Sequence, residues 1–108
     1  MNDKKQAKTS DYATTRVFAL LVCYDIADDD RRKDVADVLL GLGPRVQMSV
    51  FECRVRGGDA VKQLVGRLTE LIDPLEDQIR IYNLGARLPA PTILGERTID
   101  EWRDYIIV

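Results

Sequence analysis

Residues Phe18–Arg32 read FALLVCYDIADDDRR, and the reading of the whole chain turns on where the apolar part of that stretch stops. From Phe18 to Tyr24 the side chains are apolar, and Asp25 interrupts them at the expected end of a strand. A run this apolar is a buried strand, and a carboxylate at its mouth is costly unless something compensates it. Asp28, Asp29 and Asp30 follow, then Arg31 and Arg32. The carboxyl end of a strand is a common place for ligands and metals in α/β folds. Asp25 is therefore the first candidate site residue.

Working outward, Asp28–Asp30 suit the N-cap and first turn of a helix, where carboxylates accept from unpaired backbone N–H groups and complement the helix dipole. Val35, Val38, Leu39 and Leu42 then recur at helical spacing, with Gly43 placed for the C′ position and Pro44 preventing continuation. Arg45–Arg56 (RVQMSVFECRVR) alternates, but its phase slips between Val50 and Phe51. The slip means either a bulge or two strands joined by a tight turn near Ser49. Asp59 is the expected cap of a second helix, whose apolar face is Val61, Leu64, Val65, Leu68, Leu71 and Ile72, stopped by Asp73-Pro74. Asp77–Leu84 alternates as a strand, Gly85–Thr98 reads as loop, and Asp104–Val108 (DYIIV) is strand-like again.

This order is βαββαβ plus one strand: an α+β, ferredoxin-like sandwich with an antiparallel sheet and two helices on one face. Residues 1–15 are expected to form a flexible tail and residues 16–108 the domain. The terminal strand, with Tyr105, Ile106, Ile107 and Val108, is expected to add to a partner's sheet in a homodimer.

Composition excludes several functions. The 108 residues contain no histidine, which removes Ser-His and Cys-His nucleophilic machinery and disfavours zinc. Hydrolysis would have to rest on carboxylates and a hard metal such as magnesium. Cys23 and Cys53 lie in apolar strand segments and read as buried, reduced thiols. No apolar run approaches the roughly 18 residues of a membrane span, and no signal-peptide core is visible, so the expected location is cytoplasmic. The net charge of −2 is unlike that of most nucleic-acid binders, yet it leaves room for a local basic face.

The segments YDIADDDRR, GPRVQMSVFEC and EDQIRIYNLG and the terminal YIIV, in this order over residues 17–108, resemble the CRISPR-associated Cas-two family. The resemblance implies a ferredoxin-like homodimer with a metal site between protomers, at which Asp25 of each chain is both catalytic residue and ligand to Mg2+ or Mn2+. Tyr24, Arg31, Arg32, Ser49 and Phe51 match positions of the family's active cleft. It further implies metal-dependent cleavage of single-stranded RNA or double-stranded DNA. It also implies a scaffold role, beside a Cas-one-type integrase in spacer acquisition, in which the nuclease residues are dispensable.

Arg45, Arg54, Arg56 and Arg80 occupy outward strand positions and would form a basic stripe for phosphates, which arginine grips in a bidentate fork. Arg31 and Arg32 join them or lie on a solvated helix face. Phe51 reads as core before it reads as a stacking platform, and Tyr24 fits either role. Two rivals share the fold: a toxin-like metal-dependent ribonuclease, and a non-enzymatic regulatory module using Gly57-Gly58 as its ligand loop.

Overall fold

The computed structural model describes residues 16–86 and 90–96; the expected tail 1–15 and the expected strand at 104–108 lie outside the described residues. Four strands and two helices follow in the order β1 (Val17–Asp25), α1 (Asp29–Leu40), β2 (Arg45–Gln47), β3 (Val50–Arg56), α2 (Gly58–Leu71) and β4 (Gln78–Asn83). The sheet order is β2-β3-β1-β4 with every neighbouring pair antiparallel. This is the expected ferredoxin-like arrangement, with β1 at the centre between β3 and β4.

Alternation along the strands sets the two faces. Leu20, Val22 and Tyr24 from β1 and Phe51, Cys53 and Val55 from β3 form one buried cluster with Val35, Ala36 and Leu39 of α1 and Leu64 and Leu68 of α2. In register, Val22 lies between Phe51 and Ile81, and Tyr24 lies beside Ile79. The opposite face carries Leu21, Cys23, Asp25, Val50, Glu52, Arg54, Arg56, Gln78, Arg80 and Tyr82. No described helix covers it, although Leu21, Cys23 and Val50 are already half-buried.

The helix ends follow from local chemistry. Asp28 caps α1, its carboxylate accepting from the Arg31 N–H at 2.9 Å. The helix closes one residue earlier than the sequence suggests: Gly41 is its C-cap in right-handed conformation, and the amides of Leu42 and Gly43 both turn back to the Leu39 carbonyl. At α2 the cap is Gly57 in place of the expected Asp59. The chain must swing from β3 into the helix at once, which demands φ = +86° there, and glycine adopts that angle without a Cβ clash. The Gly57 N–H is already committed to the Arg16 carbonyl at 2.6 Å, which argues against a ligand loop at Gly57-Gly58.

The phase slip resolves into both of its alternatives. Gln47 pairs with Val50 across a two-residue turn, Met48-Ser49, and the register shifts between Arg45 and Gln47. Arg45 consequently sits opposite Phe51, with its guanidinium 5.1 Å from the ring centroid. It is thereby separated from the other strand arginines, which corrects the four-residue stripe.

Phe51 is fully buried and stacks against Tyr24 at 6.2 Å between centroids. Phe51→Ala is expected to lower the unfolding free energy by about 3–5 kcal/mol through lost contacts and a residual cavity, read from urea denaturation followed by circular dichroism.

Candidate active site at the end of the first strand

Asp25 is the last residue of β1, exposed, and on the uncovered face of the sheet. Gln78, the first residue of β4, pairs with it on one side. On the other side the Tyr24 N–H donates to the Ser49 carbonyl at 3.1 Å, drawing the Met48-Ser49 turn beside the strand end. Three connections therefore meet here: β1–α1, β2–β3 and α2–β4. Among the described residues the Asp25 carboxylate has no hydrogen-bond or ion-pair partner.

Two of the three acids after Asp25 have partners of their own, and Asp30 lies in the first turn of α1. Asp28 is the cap, and Asp29 pairs with Arg32 at 2.7 Å. Arg32 also turns its guanidinium onto the loop, with Nε and Nη2 donating to the Ile26 carbonyl at 3.2 and 3.0 Å. Arg31 is half-buried and its guanidinium is committed to acids of the α2–β4 connection. Its Nε donates to Asp77 Oδ2 at 2.7 Å and its Nη2 to Asp77 Oδ1 at 3.2 Å, with Glu76 at 3.4 Å. A phosphate would have to displace that fork, so the expected Arg31–phosphate contact is not available in this arrangement.

Asp77 is the residue that sequence reasoning missed. Its side chain is fully buried and accepts four hydrogen bonds: two from Arg31, one from the Ala27 N–H at 3.0 Å and one from the Asp73 N–H at 2.9 Å. Hydrogen bonding from Arg31 is the main cause that holds its pKa far below the usual carboxylate range, against the opposing effect of burial. The same fork raises the pKa of Arg31. The only hint in the sequence is an acid directly before an alternating strand, in a chain with arginines in an early helical turn.

Of the candidate nucleic-acid residues, Arg54, Arg56 and Arg80 share the uncovered face. Arg54 and Arg56 lie on β3 opposite Ala19 and Val17, and Arg80 lies on β4 opposite Cys23. Arg80 Nε donates to Gln78 Oε1 at 3.0 Å, beside Asp25. Arg45, across the sheet on Phe51, is not among them. Phe51 and Tyr24 are buried and present no face for stacking on bases; the Tyr24 hydroxyl has no hydrogen-bond partner among the described residues. Ser49 contributes its carbonyl to the ladder. Glu52, half-buried on the same face, has its carboxyl pKa raised by burial.

No group of three or more His, Cys, Asp or Glu able to hold a metal occurs among the described residues. At this strand end, Asp25 is the carboxylate on the uncovered sheet face with no hydrogen-bond or ion-pair partner among the described residues.

Residues 18–88 match the family CRISPR associated protein Cas2. The chain belongs to the Cas2 family. A Cas2 endoribonuclease of Synechocystis is 40% identical over 93 residues, covering 85% of this chain and 100% of that protein. A Cas2 endonuclease of Thermus thermophilus is 37% identical, covering 81% and 92% of the two chains. The crystal structure of Streptococcus pyogenes Cas2 at pH 6.5 is similar with a TM-score of 0.57 and 39% identity, over 62% of this chain and 86% of that one. A chain of a partial Cas6-RT-Cas1–Cas2 complex aligns with a TM-score of 0.56 and 32% identity, over 71% and 99% of the two chains. No helix among the described residues is long and apolar enough to cross a membrane.

Because the folded-state pKa of Asp77 is depressed, its contribution to stability is full above the unfolded carboxylate pKa near 4 and is lost as pH falls further. The wild type should therefore lose stability steadily below about pH 4. Asp77→Asn should start lower, by roughly 10 °C in Tm at neutral pH, and show a flatter acid limb in thermal melts.

Proposed function

We propose that the chain is a homodimeric adaptation protein of CRISPR immunity, acting in the cytoplasm. It binds nucleic acid beside a Cas1-type integrase and holds a magnesium-dependent phosphodiesterase site at Asp25. The observation that carries this reading is an exposed, unpartnered carboxylate at the end of the central strand, on the sheet face that also bears Arg54, Arg56 and Arg80. The naming of the relatives as endoribonucleases and endonucleases supports the chemistry. The Cas1–Cas2 complex among the similar structures supports the partner.

The donor set fits magnesium as half of a site. Magnesium favours six oxygen ligands and retains several waters, commonly binding through one or two carboxylates together with substrate phosphates. Asp25 from each of two copies, completed by water and phosphate oxygens, matches that preference; a single copy does not. Manganese, which accepts the same oxygen ligands, would serve as well. When bound, the ion polarises the phosphate and lowers the pKa of its water.

The protein's own residues supply position and charge. Arg54, Arg56 and Arg80 grip backbone phosphates and orient a duplex DNA or a single-stranded RNA across the sheet. The strand at 104–108 extends the partner's sheet and brings the two Asp25 residues together, with residues 16–108 forming the domain and residues 1–15 a tail.

Asp25→Ala should abolish Mg2+-dependent cleavage in a purified assay, and unchanged cleavage would point to a contaminating nuclease. Spacer acquisition separates the two roles: loss on truncation of Tyr105–Val108 with retention in Asp25→Ala identifies a scaffold that does not need the nuclease.

Binding to duplex DNA should weaken steeply with salt and show little sequence preference. Replacing Arg54 or Arg80 by Ala should reduce the slope of log K against log salt by about one each, measured by fluorescence anisotropy. A slope unchanged in both variants would remove the arginines from the interface.

A further inference from the structure

The peptide unit joining Ile26 to Ala27, one residue beyond the Asp25–Ile26 peptide, is held at both ends by charged side chains. Its carbonyl accepts from Arg32 Nε and Nη2 at 3.2 and 3.0 Å. Its N–H donates to Asp77 Oδ1 at 3.0 Å. Asp77 is in turn locked by the Arg31 fork and by the Asp73 N–H. It also directly precedes Gln78, the cross-strand partner of Asp25. Ile26 itself is buried in the core, so the loop is anchored by packing as well as by charge.

We infer that Arg31, Arg32 and Asp77 act together as positioning residues for Asp25, clamping the Ile26–Ala27 peptide so that the carboxylate leaves the strand in one direction. The inference rests on the reading of Asp25 as a metal ligand, and it assigns Arg32 to the loop backbone and Arg31 to Asp77 in place of the substrate. Hydrogen bonds to charged groups are the stronger and shorter kind. A peptide plane restrained at both its donor and its acceptor has little freedom to rotate. With the Tyr24 N–H fixed on Ser49 one residue before Asp25, the backbone around Asp25 is held from both directions while its side chain stays open. An outer shell that orients a ligand in this way typically carries 10–100-fold in metal affinity.

The test compares Mn2+ affinity, by electron paramagnetic resonance on the full chain, for wild type, Asp77→Asn, Arg32→Lys, Asp25→Asn and Leu68→Ala. All are measured at a temperature where circular dichroism shows each to be folded. Asp77→Asn and Arg32→Lys keep side-chain size while breaking the clamp; Leu68→Ala destabilises the core on α2 without touching it. The expected result is a loss of about tenfold or more in affinity for the two clamp variants, none for Leu68→Ala, and faster hydrogen exchange at the Ala27 amide in Asp77→Asn. Wild-type affinity in both clamp variants, with binding lost in Asp25→Asn, overturns the clamp and leaves the metal reading standing. An equal loss in Leu68→Ala overturns it too, by reducing the effect to general stability. Unchanged affinity in Asp25→Asn instead overturns the metal reading, and the inference with it.

Discussion

A fully buried carboxylate is among the most demanding groups a small fold can carry, because removal from water penalises the charge unless every oxygen is paired. Asp77 meets that demand with two guanidinium N–H groups and two backbone amides, which come from α1, the β1–α1 loop and the α2–β4 connection. The charge therefore acts as the common fastening of the β1–α1 and α2–β4 connections. The residues around the strand end have defined positions because this one group cannot be left unsatisfied.

The two faces of the sheet divide the remaining work. Leu20, Val22, Phe51, Cys53 and Val55 bind the helices to one face and leave it no polar function. The other face mixes half-buried Leu21, Cys23 and Val50 with Glu52, Arg54, Arg56 and Arg80. Burial already raises the Glu52 pKa there, so the face lies between core and surface in character. A chain with net charge −2 can still bring several arginines to one side, since strand alternation sorts residues by parity whatever the total charge.

Much of this was legible in the sequence. Helical spacing in Val35–Leu42 and Val61–Ile72, strand alternation in Asp77–Leu84 and the unbroken run before Asp25 were enough for the order of elements, and the sheet follows from that order. The cap at Asp28 and the isolation of Asp25 from the acids behind it were also readable, being local. Long-range facts were not. Little near Asp77 in the chain marks it as buried, because three of its four hydrogen bonds come from residues 46 and 50 positions away, and only the Asp73 N–H is local. Arg45 looked equivalent to Arg54 because periodicity cannot show that the register shifts between Arg45 and Gln47. Gly57 took the cap from Asp59 because the need for a positive φ arises from the angle between strand and helix, not from the preference of either residue.

The contrast among the acids bears on how a site built from two copies would behave. Asp28, Asp29 and Asp77 each have a donor close by, whereas Asp25 stands unpaired on a backbone fastened on both sides. If two such carboxylates meet across a twofold axis, they repel, and a flexible strand end would relax by turning them apart. A fastened one cannot move far, so the repulsion persists until a cation relieves it. Rigidity next to an unpaired charge therefore favours metal capture more than it favours stability. The same arrangement accounts for the position of Arg31 and Arg32 directly behind the acidic run: there they neutralise Asp77 and Asp29 and hold the loop, and neither reaches Asp25 to quench it.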